Sequence, residues 1–153
     1  MIKRTLAVYT LLLAAVAPAL AAEDTNAERN ARGQSVMNKL SAGAGQPVLN
    51  KLKQDFPFLA DAIVNYSLGD VWSRPGLDDR TRQLAAVAAF AAQGNLTVLK
   101  VHARYALNLG VTPDELKEII NLTTVTAGFP RAIDAANALN EAFDAHDASM
   151  RSK

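Results

Sequence analysis

The 153-residue chain contains no cysteine. That absence excludes disulfides, a lipid-modified N-terminal cysteine, thiolate metal sites and any dithiol redox centre. Aromatic residues are scarce at 6%, while half the chain is hydrophobic and rich in alanine. A β-sandwich of this length needs more valine, threonine and aromatic side chains, so the balance points to closely packed helices. No segment sustains the period-two alternation of a half-buried strand. The expected fold is therefore all-α, a compact multi-helix domain.

Long hydrophobic runs are also lacking, with one exception. Leu6 to Leu20 follows the positive pair Lys3 and Arg4 and ends in the small residues Ala19 and Ala21. This is the pattern of a secretory signal peptide over residues 1–21, cleaved near Ala21. The run is shorter than the roughly 20 residues that span a bilayer, so no membrane attachment is expected after cleavage. The expected location is secreted or periplasmic. Without Lys3 and Arg4 the 16 basic side chains become 14, against 15 acidic ones. A near-neutral chain with no concentrated basic face argues against nucleic acid as a partner. An exported domain without disulfides must draw its stability from packing or oligomerisation.

Residues 22–34 are polar and charged, with no apolar period before Val36, and read as a frayed or loosely helical N-terminal arm. The helical domain is expected over residues 35–148, opening with a short helix at Ser35–Leu40. Leu49, Leu52, Phe56, Leu59, Ile63 and Tyr66 recur at three and four, and Pro57 should start a second helical segment there. Gly69 to Leu77 reads as a loop, and Asp78 suits the N-cap of the next helix. From Leu84 to Ala92 that helix is apolar all round, which predicts a fully surrounded central position. Gly94 and Asn95 end it, and Gly110 ends the following helix. Thr112-Pro113-Asp114-Glu115 combines a cap, a first-turn proline and a glutamate placed to close a capping box. The helix after it carries Leu116, Ile119, Ile120 and Thr123 on one face and breaks at Gly128. Pro130 opens a last helix with Ile133, Ala136, Leu139 and Phe143 facing inward.

His102 stands in an apolar helix pattern, where an imidazole is the default general acid or base near neutral pH. The turn at Gly110 to Thr112 would bring it near Glu118, Ile119 and Asn121 on the next helix. A satisfied core histidine is the plain alternative. His146, near the end of the last helix, suits the helix dipole and receives no role. Arg74, Arg80 and Arg82 surround a Pro75-Gly76 turn. They could hold a di- or tricarboxylate bidentately, or pair with Asp70, Asp78 and Asp79 close by. Trp72 could form a pocket wall or a subunit contact.

These segments resemble the carboxymuconolactone decarboxylase family. The resemblance rests on GDVWSRPGLDDRTR (Gly69–Arg82), VHARYALNLGVTPDELKE (Val101–Glu118) and AGFP (Ala127–Pro130). It implies an alkylhydroperoxidase-like helical fold with a central antiparallel hairpin, assembled as a homo-oligomer, a trimer or hexamer. It further implies a carboxy-lyase that needs no metal or organic cofactor and acts on a small carboxylated lactone or related acid. His102 matches the family's histidine, with Glu118 as its possible partner and Arg74, Arg82 and Trp72 as substrate-binding residues. Two positions depart from the decarboxylase pattern, Val98 for a glutamate and Thr126 for a tyrosine. In the alkylhydroperoxidase branch a Cys-x-x-Cys would fall on Asn95 and Val98, and the relay glutamate on Gln83. Thiol peroxidase chemistry has no nucleophile here. The alternative to an enzyme is a non-catalytic helical oligomer that binds a small ligand or partner.

Overall fold

The computed structural model describes residues 24–152, and the expected signal peptide lies outside them. The described chain is helical throughout, with no strand among the described residues. In chain order the helices are α1 (Asn26–Leu40), α2 (Pro47–Asp55), α3 (Pro57–Ala62), a π-helical segment (Ile63–Trp72), α4 (Asp79–Gln93), α5 (Leu96–Asn108), α6 (Pro113–Ala127) and α7 (Phe129–Arg151). Pro47, Pro57 and Pro113 each sit in a first helical turn, where the missing N–H has no intrahelical partner to lose. Thr112 and Glu115 close the expected capping box, and Asp78 caps α4 by accepting from Thr81 N–H.

The helices form two apolar clusters. The larger joins α4 to α7 through Val87, Ala91, Leu99, Leu116, Ala135 and Leu139. The smaller joins α1, α2, α3 and the π-helical segment to α5 through Met37, Leu40, Ala60, Val64 and Tyr105. The central antiparallel pair is α4 and α5, turned at Gly94 and Asn95. Gly94 takes the left-handed conformation, and a Cβ there would collide with the Arg131 guanidinium. α5 packs chiefly on α4 and α7, and α6 on those same two helices.

Several local expectations are corrected. Residues 26–34, expected frayed or loosely helical, form one regular helix with Ser35–Leu40. Thr25 and Glu28 form a second capping box at its start. The helix is held by backbone proximity, which leaves no apolar period to read. A Cβ on Gly33 would lie 2.0 Å from the Val64 carbonyl oxygen, and one on Gly69 would lie 2.2 Å from that of Arg29. Arg29 and Arg32 then both reach Asp70, and Arg32 Nε donates to the Gly69 carbonyl at 3.1 Å. The helix at Ile63 also continues through Gly69 to Trp72 in π form, where a loop from Gly69 was expected. Ala85 and Ala89 leave one side of α4 open, and Ile133 on α7 is exposed, not inward.

Gly33→Ala tests the contact with a clear sign. Helix propensity alone favours alanine by about 1 kcal/mol, whereas forcing α1 off the π-helical segment costs about 1–3 kcal/mol. Urea unfolding should show a net loss for Gly33→Ala and little change for Gly76→Ala, where a Cβ meets open space. A stabilised Gly33→Ala protein would mean that α1 is not seated on this contact.

Candidate functional site

Gln83, Val87 and Phe90 recur at helical spacing along one face of α4, and His102 of α5 lies across that face. The His102 Nδ1 is 2.8 Å from the Gln83 Oε1. Its ring centroid is 5.1 Å from that of Phe90, 5.5 Å from Trp72 and 5.8 Å from Tyr105, the last edge-on. Three helical elements therefore meet at one imidazole. Tyr105 is fixed in turn, since its hydroxyl receives a 2.9 Å hydrogen bond from Gln46 Nε2 and faces Met37 Sδ.

Burial in this apolar, aromatic setting is the cause that lowers the His102 pKa from 6.5 to about 4. The ring is therefore neutral at pH 7. An amide oxygen can only accept, so a hydrogen bond here requires the tautomer with the proton on Nδ1 and the lone pair on Nε2. Gln83 is fully buried, and its amide nitrogen has no hydrogen-bond partner among the described residues; the same is true of the Trp72 indole nitrogen. Leaving a buried donor unpaired costs about 1–3 kcal/mol. Two such donors beside one imidazole mark a place where packing has been compromised for another purpose.

Trp72 also walls a cleft of about 310 Å³ at the surface. Arg32, Lys39 and Arg74 bring positive charge to it against the single carboxylate of Asp79, with the hydroxyls of Ser35 and Ser73. Lys39 is paired with Asp79, and Arg32 with Asp24 and Asp70. Arg74 has no ion-pair partner among the described residues. His102 is not in this cleft's wall, and Trp72 is the element the two share.

The structure thus brings together His102, Trp72 and, through Trp72, Arg74. Arg82 stands apart, because its guanidinium donates to the main-chain carbonyls of Arg74 and Leu77 and braces the loop that carries Arg74. Arg80 pairs with Glu115 at 2.8 Å, so none of these three arginines takes the nearby aspartates. Asp70 is held by Arg29, which keeps its carboxyl below the usual range, and Asp78 is lowered by its capping bonds. Glu118 is exposed and accepts from Asn121 at 3.1 Å, while Gln83 occupies the His102 Nδ1. Pairing α5 with α6 across the Gly110 turn misplaced this partner, since α5 lies against α4. Gln83 and Phe90 went unrecognised as its neighbours. Two signals pointed to Gln83: it is a polar side chain four residues before Val87 on an otherwise apolar face, and it falls where the alkylhydroperoxidase branch has its relay glutamate.

The sequence profile of the carboxymuconolactone decarboxylase family matches residues 57–141, from α3 into α7, including Trp72, Gln83 and His102. The 4-carboxymuconolactone decarboxylase of Acinetobacter baylyi is 41% identical over 95 residues, 62% of this chain and 69% of that enzyme. The nitrosuccinic acid decarboxylase of Metarhizium robertsii is 35% identical over 91 residues, 58% of this chain and 64% of that enzyme. α1 lies outside the matched profile.

The depressed histidine has a consequence for stability. Above pH 6.5 the ring is neutral folded and unfolded. As pH falls from 6.5 to about 4 the unfolded chain takes up a proton that the folded one refuses, so stability is lost across that window. The loss approaches about 3 kcal/mol at its limit. Urea midpoints at pH 7 and pH 4.5 should therefore differ more for the wild type than for His102→Leu. Equal differences would show that the ring titrates normally.

Proposed function

The chain belongs to the carboxymuconolactone decarboxylase family, and we propose that it is an exported decarboxylase of a small carboxylated lactone or related acid. The two relatives described above are both named as decarboxylases of carboxylic acids, which supports the carboxy-lyase class. Export rests on the Lys3-Arg4 start and the Leu6–Leu20 run. The observation that carries the reading is the neutral His102, anchored through one nitrogen by Gln83, behind a tryptophan that also walls a cationic cleft.

The chemistry asks for few groups. The bond to the carboxyl carbon breaks, CO₂ leaves, and the electron pair passes into a conjugated acceptor to give an enolate. One proton then closes the former carboxyl position. In this proposal Arg74 holds a second carboxylate of the substrate, as a guanidinium does bidentately. Arg82 keeps the Arg74 loop in place. The low polarity around Trp72 and Phe90 favours loss of charge from the scissile carboxylate. His102 relays this proton through its bare Nε2, taking it from a solvent water, which leaves as hydroxide, and passing it to the enolate carbon; its low basicity lets it give the proton up readily.

A non-catalytic oligomer that binds a small ligand is the competing reading. It is favoured by the absence of His102 from the cleft wall and by Val98 and Thr126 at the two divergent positions. Leu122, Val125, Phe129 and Ile133 are exposed along α6 and α7, a face that supports self-assembly into a trimer or hexamer under either reading.

Release of CO₂ from a panel of lactone acids separates the two. The wild type should turn over at least one of them. His102→Ala should lower kcat by about 10²–10⁴-fold, the usual share of a proton-transfer group. Arg74→Ala should raise KM with little change in kcat. Ligand binding without any CO₂ would support the non-catalytic oligomer, and equal turnover by His102→Ala would remove the imidazole from the chemistry.

A further inference from the structure

Gln83 stands where the alkylhydroperoxidase branch has its relay glutamate, and it is the only described residue that hydrogen-bonds the imidazole. It is a fully buried amide on the apolar face of α4, with its oxygen on His102 and its nitrogen unpartnered. A leucine or methionine there would pack without an orphaned donor. A glutamate would attract a second proton onto the ring. An amide oxygen does neither, and it can accept the same Nδ1–H whether the ring is neutral or cationic.

We propose that Gln83 is a positioning residue that fixes His102 in the tautomer with the proton on Nδ1, which makes Nε2 the one ring atom free to exchange the proton of the reaction. The role given to Nε2 rests on the decarboxylase reading, whereas the tautomer itself does not. Because Gln83 belongs to α4 and His102 to α5, the orientation is built into the central helix pair. Among the described residues no charged group contributes to the state of this ring: burial is the cause of its depression, and the titratable side chain against it is the neutral Tyr105. Introducing a carboxylate at position 83 would therefore add the first charge to its surroundings.

Ring-nitrogen NMR on the full chain tests this without substrate, in a His146→Gln background that leaves His102 as the only imidazole. At pH 7 the wild-type spectrum should show a proton-bearing Nδ1 and a bare Nε2. Gln83→Leu should lose that fixed form and shift toward the Nε2–H tautomer that free histidine favours. Gln83→Glu, of the same shape, should raise the ring's midpoint by about one to three units. At pH 5 half or more of its rings would then carry protons on both nitrogens, while the wild type stays largely neutral. A bare Nδ1 in the wild type, or an unchanged tautomer in Gln83→Leu, overturns the proposal. Should Gln83→Leu not fold, the wild-type and Gln83→Glu spectra decide it. A correct tautomer in a protein that releases no CO₂ from any acid leaves this assignment standing and removes the decarboxylase reading.

Discussion

Backbone contact between α1 and the π-helical segment is the constraint on which the arrangement around His102 depends. Gly33 and Gly69 let two helices touch where any side chain would hold them apart. Seated this way, α1 brings Arg29 and Arg32 to Asp70 and ties the segment that ends in Trp72. The wider π-helical turn carries the chain on to Trp72, which covers the imidazole on one side and the cationic cleft on the other. π-helical stretches often mark functional sites because they are costly to keep. Here the stretch delivers a single aromatic wall to both halves of the candidate site.

From that placement the electrostatics follow. Aromatic rings and an amide lie against His102, and among the described residues desolvation is the one cause that shifts it. A paired carboxylate would have given a basic, cationic ring. The amide of Gln83 gives instead a neutral ring with one nitrogen occupied and one free. That difference suits a group that relays a proton to a forming carbanion more than one that holds a charge.

Much of the fold could be read from residues. The Thr112 and Glu115 box, the caps at Asp78 and Gly94 and the helix starts at Pro57 and Pro113 are local devices whose chemistry lies within four residues of one another. His102 and Trp72 were legible as candidates for the same reason. What escaped were facts of tertiary pairing. A turn at Gly110 says that α5 and α6 follow one another, and says nothing about whether they touch; that is why Glu118 was placed beside the histidine and Gln83 was not. Only the second half of α1, Ser35–Leu40, was legible as a firm helix, because the first half is seated by glycines and the half-buried Arg29–Asp70 pair, which leave no apolar period. Ala85, Ala89 and Ile133 are apolar yet open to solvent, because periodicity alone does not tell a core face from an exposed one.

The central claim is that this imidazole is neutral because protein encloses it. Following its ring-carbon NMR signals from pH 8 to pH 3 measures that directly. The account predicts a single titration with its midpoint at about 4; a midpoint near the ordinary 6.5 would contradict it.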